Sequence, residues 1–299
     1  MTWLYLGILS GLLLGVYDLF KKHAVTGNAV FPVLLFSNAT AALVWIPLVY
    51  LSFRHPNWLP HPQLQVESIG LRDHLLLCLK SVIVGTSWMF AYFAVKHLPI
   101  SIAGSVRSMS PVFTIIGALV LFHEAPSLQQ WSGILLTLVF FFALSRVGKR
   151  EGIHFENNGW VWLCLLGTLL SACSGLYDKY LLGRLGYAPA TVQAWFSIYL
   201  LVYMLIPGLG YYRGWWTHGL FIWRWTVPFI GLALLAADFV YFKALSDPDA
   251  MVSIVSCLRR GAVLVTFFAG TLWFREKLFL SKLPCVLGIL AGILIILLS

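Results

Sequence analysis

Gly7-x-x-x-Gly11-x-x-x-Gly15-Val-Tyr-Asp18 lies in the first apolar run, and 160 residues on the pattern returns as Gly167-x-x-x-Ser171-x-x-x-Gly175-Leu-Tyr-Asp178. Small residues at every fourth position give a helix one face on which another backbone can approach closely. The correspondence continues down the chain. Tyr92-Phe93 and Pro99 are matched by Tyr241-Phe242 and Pro248 at an offset of 149, and Arg107, Thr114 and Glu124 by Arg259, Thr266 and Glu276 at an offset of 152. The three-residue change fits in the loop before a helix. Agreement over three separated blocks identifies a duplicated chain.

Composition says what is duplicated. Of 299 residues 60% are hydrophobic and 10% charged, against about 25% charged in an ordinary soluble domain. Such a chain has no polar exterior to show to water. Runs of about 20 apolar residues are long enough to span a bilayer, and they fall near 2–21, 29–52, 73–96, 100–122 and 127–146, then near 159–182, 189–210, 225–244, 250–274 and 281–298. Five spans per copy is an odd number, so the second copy crosses the membrane in the opposite sense. The expected fold is an all-α integral membrane protein of ten transmembrane helices in two inverted five-helix repeats. Residues 1–146 form the first repeat, 147–158 a polar connector and 159–299 the second. Inverted repeats are the ground plan of secondary transporters, with the substrate site near midplane between the copies.

The formal charge of +9 is spread singly or in small groups between apolar spans, a pattern that fits anchoring to lipid headgroups and not nucleic-acid binding. Trp3, Trp58, Trp160, Trp215, Trp216 and Trp223 stand beside span ends, where amphipathic rings favour the interface. Cys78, Cys164, Cys173, Cys257 and Cys285 have no metal or disulfide spacing and read as small packing residues. The first apolar run has no basic leader before it and no small-residue cleavage site after it. With almost no tails, the chain fits a bacterial inner (plasma) membrane. No motif calls for a cofactor or metal.

At these residues the chain resembles the drug/metabolite transporter superfamily, in its ten-helix EamA-like branch. The resemblance rests on the aromatic-rich third helix, Ala91-Tyr92-Phe93 through Leu98-Pro99, on Ser108-Met-Ser110-Pro111-Val112, on Glu124, and on the Gly-bearing fifth helix Gly133-Ile-Leu-Leu. The second half keeps the aromatic pair, Pro248, Glu276 and Gly288-Ile-Leu-Ala-Gly292, and places Arg259-Arg260-Gly261 where the Ser-Pro step would stand.

Charges in the hydrocarbon are costly and so are functional by default. At 1.5 Å per residue, Arg107 lies about 10 Å into the fourth span and Arg259 about 14 Å into the ninth. Ser101, Gly104, Ser108 and Ser110 flank the first; Ser253, Ser256 and Gly261 flank the second. Arg107, Arg259 and Arg260 are the candidate substrate-binding cations, since guanidinium groups hold phosphate or carboxylate through paired N–H···O bonds. The resemblance implies the same, because plastid sugar-phosphate translocators of that superfamily use basic residues on corresponding helices. Structural pairing with Asp238, read as the only acid deep inside a span, is the competing account. Trp88, Tyr92 and Tyr241 would flank the same cavity and either stack on the solute or simply pack. Lys80 is embedded, with a stem long enough to snorkel to an interface. Glu124 and Glu276 read as caps of the helices that follow them or partners of nearby bases. Asp18 and Asp178, with Tyr17 and Tyr177, stand near opposite membrane faces and are either interfacial ion-pair partners or gates.

The expected function is alternating-access transport of a small anionic metabolite: an organic phosphate, a nucleotide-linked sugar or a carboxylate. Asp238 offers proton coupling only weak support, with exchange or facilitated diffusion equally open. Export of amino acids, drugs or lipid-linked sugars is the alternative within transport. An intramembrane enzyme is disfavoured, because no His-Glu-x-x-His, Gly-x-Ser-x-Gly or embedded carboxylate pair occurs. A helper subunit is compatible with Gly288-x-x-x-Gly292 as a homodimer face, a motif equally suited to packing within the chain.

Two arguments bear on orientation and disagree: the resemblance implies a cytoplasmic N-terminus, and the charges point the other way. With a cytoplasmic N-terminus the outside connections would hold Lys21, Lys22, Lys96, Arg146, Lys149, Arg150, Arg213, Arg275, Lys277 and Lys282, and the inside ones only Arg54, Arg72, Arg184 and Lys243. That is the reverse of the positive-inside bias. Both termini are therefore expected outside, and a reporter that works only in the cytoplasm should be silent when fused after Ser299.

Overall fold

The computed structural model describes residues 2–97, 106–107, 109–147, 159–215, 219–262, 264–265 and 279–298. Among them the regular structure is helical: α1 (Thr2–Val25), α2 (Val30–Arg54), α3 (Leu71–His97), α4 (Ser110–Phe122), α5 (Leu128–Val147), α6 (Gly159–Lys179), α7 (Pro189–Tyr212), α8 (Thr226–Leu245), α9 (Val252–Leu258) and α10 (Phe279–Leu297). A π-turn, Tyr180–Arg184, prolongs α6, and a 3-10 turn, Arg259–Gly261, follows α9. Among the described residues six helices are long and apolar enough to cross a membrane: α1, α2, α3, α6 with its π-turn, α7 and α8. The apolar lengths described for α4, α5 and α10 are shorter. Pro99, Ser101, Gly104, Ser108, Trp216, Thr266 and Glu276, and all but the first residue of the connector, lie outside the described residues.

The exterior of the bundle is hydrocarbon-like, with Leu43, Ile46, Leu75, Val139, Leu166 and Ile206 all exposed. Trp58, Trp160, Trp215 and Trp223 are exposed, but Trp3 is buried in the main core. All five cysteines are free; Cys164, Cys257 and Cys285 are buried as packing residues, while Cys78 and Cys173 face outward.

Helix pairing has a regular form. α1 packs on α8 as α3 packs on α6, and α4 meets α6 as α9 meets α1. α3 meets α7 as α2 meets α8, and α2–α7, α4–α9 and α5–α10 pair directly. Every pairing in this set maps onto another, or onto itself, on counting five helices along. Close approach makes these contacts possible. A Cβ on Gly133 would stand 2.7 Å from the Gly292 carbonyl, and one on Gly288 only 2.2 Å from the Phe140 ring. The Gly288-x-x-x-Gly292 face is thus occupied within the chain, by α5.

The two ends of the bundle are tied differently. At one end Asn28, in the α1–α2 turn, exchanges hydrogen bonds with Ile222 ahead of α8: its Nδ2 donates to the Ile222 carbonyl at 2.7 Å and its Oδ1 accepts from Ile222 N at 2.8 Å. At the other end four connections are bonded to neighbours. Glu67 N donates to Thr191 Oγ1 (2.9 Å), Tyr187 Oη to Asp73 (2.5 Å) and Lys179 Nζ to the Asp247 carbonyl (3.3 Å). Glu124 takes the amide of Val252 at 2.6 Å, that of Ser253 at 3.1 Å and the Ser253 hydroxyl. It therefore caps α9, in the other half of the chain, and not α5, which follows it. A carboxylate on exposed amides at a helix N-terminus satisfies donors that have no partner inside the helix.

The tightest backbone approach gives a stability test. A Cβ on Gly231 of α8 would lie 2.2 Å from the carbonyl oxygen of Ser37 on α2, whereas one on Gly159 meets nothing within 4 Å. Gly231→Ala should force α2 and α8 apart, cost about 1–3 kcal/mol by overpacking, and lower the thermal unfolding midpoint in detergent by several degrees. Gly159→Ala, the same chemical change, should leave it unmoved.

Candidate functional site

A cavity of 860 Å³ lies between α1, α3, α4, α6, α8 and the Arg259–Gly261 turn. Gly27, Asn28 and Gly219 line its mouth. Among the described residues, none of the connections at the Glu124 end borders it. The cavity thus opens at the Asn28 end and is closed at the other.

Interrupted helices present the arginines to it. Val106 and Arg107 are helical, Met109 lies in a turn closed by its amide on the Val106 carbonyl (3.1 Å), and α4 starts at Ser110 with Pro111 in its first turn. In the second half α9 stops at Leu258 and tightens into the 3-10 turn Arg259–Gly261. Broken helices at membrane depth are tolerated where they line a cavity. Arg107 is exposed in the cavity; Arg259 and Arg260 are half-buried along its wall.

The three arginines differ in what already occupies them. Arg259 Nη2 donates to Asp238 Oδ1 at 3.0 Å, and its guanidinium lies 4.1 Å from the Tyr241 ring centroid, within cation–π range. Its Nε is buried without a hydrogen-bond partner. Among the described residues Arg260 donates to the Ser256 carbonyl alone, at 3.4 Å, with the Phe141 ring 5.7 Å away. Among the described residues neither Arg260 nor Arg107 meets a carboxylate. The structural pairing weighed for the arginines is therefore present at Arg259 alone.

Lys80 and Asp178 correct the sequence reading. Lys80 does not snorkel: it is 2% exposed and its ammonium is bonded to Asp178, itself 4% exposed. Phe196 and Phe242 flank the ammonium, their ring centroids 4.4 and 4.9 Å away. Asp178 is accordingly not interfacial, because the π-turn carries α6 past it, and Asp238 is not the only deep acid. Asp18, its counterpart in the repeat, keeps the expected local pairing with Lys21, at a loose 3.6 Å and with 41% of its side chain exposed.

Of the residues singled out in the sequence, Arg107, Arg259, Arg260, Trp88, Tyr241, Lys80, Asp238, Tyr17, Asp18 and Asp178 all line this one cavity. Tyr177 does not. Its hydroxyl donates to the Leu76 carbonyl at 3.2 Å and its ring stacks on Tyr180, on the closed side. The Tyr92 side chain lies outside the described residues. Sequence reasoning passed over Phe31, Phe93, Ser171 and Ser174 in the wall. The four-residue spacing of Gly167, Ser171 and Gly175 was the available signal for part of it. Gly167 serves packing, since a Cβ there would stand 3.1 Å from the Ser87 carbonyl, while Ser171 and Gly175 face the cavity. Five cations (Lys21, Lys80, Arg107, Arg259, Arg260) against three carboxylates (Asp18, Asp178, Asp238) leave the lining with an excess of two positive charges.

Comparison with known proteins bears on the class. No functionally curated protein matches the chain in sequence. A crystal structure of a protein 14% identical superposes with a TM-score of 0.73, covering 99% of this chain and 96% of its own. At that identity the likeness is one of fold. Residues 1–146 match the family described as the EamA-like transporter family. An apolar helical bundle around a cavity, with its first 146 residues matching a family of membrane-embedded transporters within the drug/metabolite transporter superfamily, indicates a membrane transporter of the drug/metabolite type.

Proposed function

We propose that the protein is a secondary transporter of a small anionic metabolite, such as an organic phosphate, a nucleotide-linked sugar or a carboxylate, working by alternating access in a bacterial inner membrane. The observation that carries the substrate class is the positive excess of the cavity lining, in which Arg107 and Arg260 have no carboxylate partner among the described residues. A guanidinium facing a low-dielectric cavity attracts a planar or tetrahedral oxyanion more strongly than one in water, and binds it through two donors at once. Arg259 serves as the fixed wall of that site, oriented by Asp238 and Tyr241. Trp88 and Tyr241 supply ring faces for the rest of the solute.

Two inverted five-helix repeats are the framework of this reading, supported by the sequence correspondence and by helix pairings that map onto one another five helices along. The gates fit the same scheme. Asp18, beside Tyr17, is partly exposed at the open end, while Asp178, beside Tyr177, is buried towards the closed one. Equivalent residues in unlike surroundings are what a two-fold repeat displays when only one side is open. If charge bias sets orientation, the open Asn28 end, carrying Lys21 and Arg213, is cytoplasmic.

Protein reconstituted with inorganic phosphate as the probe tests the anion site. Arg107→Gln and Arg260→Gln should each weaken phosphate binding by about 10–100-fold, the equivalent of one charge-assisted hydrogen bond of about 1.5–3 kcal/mol, with monodispersity intact. Arg→Lys at either position should recover only part of the loss, since the charge stays and the fork goes. Undiminished binding in both Gln variants would reject the site. Recovery of the solute chemically unchanged after transport separates a carrier from an intramembrane enzyme.

A further inference from the structure

Among the described residues three ion pairs line the cavity; Lys21–Asp18 lies within α1, and the other two differ in what they join. Arg259 and Asp238 both belong to the second half of the chain, so the pair survives any movement of one half against the other. Lys80 is on α3 and Asp178 on α6, so this pair bridges the halves, with side chains only 2% and 6% exposed. It lies in the cavity lining, on the side of the bundle held shut by the Tyr187–Asp73 and Tyr177–Leu76 bonds. Opening the Glu124 end must draw α3 from α6 and part these two charges.

We propose that Asp178 is the proton-binding site of the transport cycle, with Lys80 as the partner that sets when the proton is held. With the Glu124 end closed, the carboxylate is ionised and bound to the ammonium. Parting the pair would leave a bare carboxylate in a poorly solvated wall, where the charged form is strongly disfavoured. A proton from cavity water settles on an Asp178 Oδ instead, and no charge is left unpaired on α6. Lys80 keeps its charge and faces the cavity. Re-closing restores the ion pair and releases the proton, so one proton is taken up on opening and given back on closing. The groups that face Asp178 do not replace this role. They are Lys80 from α3, Asp238 and Tyr241 from α8, and Arg259 from the 3-10 turn, with Tyr177 and Lys179 beside it on α6. Asp238 already holds Arg259. α4 brings only the hydroxyls of Ser110 and Thr114 to the lining, and α7 the Phe196 ring.

The proposal rests on alternation between two openings and is independent of the solute being an anion. Its test uses the full chain with the five native cysteines replaced and one reporter thiol at a time: Ala250→Cys at the closed end, where the residue is 3% exposed, or Ala91→Cys in the cavity wall. Lowering the pH should speed labelling of the Ala250→Cys thiol and slow that of the Ala91→Cys thiol, by up to about tenfold per pH unit for one linked proton. Asp178→Asn should label at high pH as the parent does at low pH, with the pH dependence gone, and Asp178→Glu should restore it. Should Asp178→Asn misfold, the doubly neutral Lys80→Met/Asp178→Asn chain should be folded and equally flat with pH. A parent whose labelling ignores pH, or a neutral variant that keeps the parent's pH midpoint, overturns the proposal. Protection of the Ala91→Cys thiol by phosphate is scored separately. Its absence, with the pH response intact, would sink the anion reading and leave the proton site standing.

Discussion

An ammonium and a carboxylate placed in hydrocarbon each cost several kcal/mol unless they meet, and in this bundle they meet between α3 and α6. Lys80 and Asp178 come from helices that the chain separates by 98 positions, and their contact fixes how one half faces the other on the side away from the mouth. The rings of Phe196 and Phe242 enclose the ammonium, so the pair is sealed by α7 and α8 as well. Apolar contacts between membrane helices have no preference for partner, since lipid tails offer the same surface as leucine. A buried charge pair does have one. Register between the halves is thus set by a few polar contacts: Lys80 on Asp178, Ser87 Oγ on the Gly167 carbonyl at 2.7 Å, Ser10 Oγ on the Ala237 carbonyl at 2.8 Å, and Glu124 on the start of α9.

The helices break where their charged residues line the cavity. In the 3-10 turn that follows α9 both Arg259 and Arg260 line it, one against Asp238 and the other, among the described residues, without a carboxylate. Pro111 in the first turn of α4 makes the corresponding break beside Arg107 in the first half. The exposed backbone of these breaks lines a cavity and not lipid, the condition under which irregular backbone persists at membrane depth.

How much of this the sequence disclosed depends on the range of the interaction. Where a helix rests on a local apolar run its extent was legible; α7 starts at Pro189 and α2 ends at Arg54, within two residues of the positions read from composition, whereas the fourth and ninth runs, expected as continuous spans, are interrupted at Met109 and at Arg259–Gly261. Ten of the twelve residues chosen for the site line one cavity, because embedded polar groups have few places to go. What failed was partnership. Lys80 and Asp178 each looked able to reach an interface, and nothing within a helical turn of either betrays a partner on another helix. Glu124 was recognisable as a cap, yet the helix it caps is reached through space from the other half. Gly288-x-x-x-Gly292 could not say whether its neighbour was α5 or a second chain, since small residues permit close approach without naming a partner.

Symmetry of sequence and asymmetry of structure belong together here. Asp18 and Asp178 descend from one repeated motif, but among the described residues only Asp178 forms an ion pair with another helix. The residue at the Lys80 position in the other half, at the offset of the Tyr92–Tyr241 match, is Phe229, which is exposed and stacks on Phe20 at 5.6 Å. Closing the Asn28 end cannot therefore rebuild a Lys80-like pair on Asp18. Among the described residues its ion pair is with Lys21 on its own helix, and Arg260 is the cation across the cavity that feels its charge. The two ends thus differ in what the chain itself supplies: towards the Glu124 end an ion pair joins the two halves, while at the Asn28 end the equivalent carboxylate pairs, among the described residues, with a cation of its own helix.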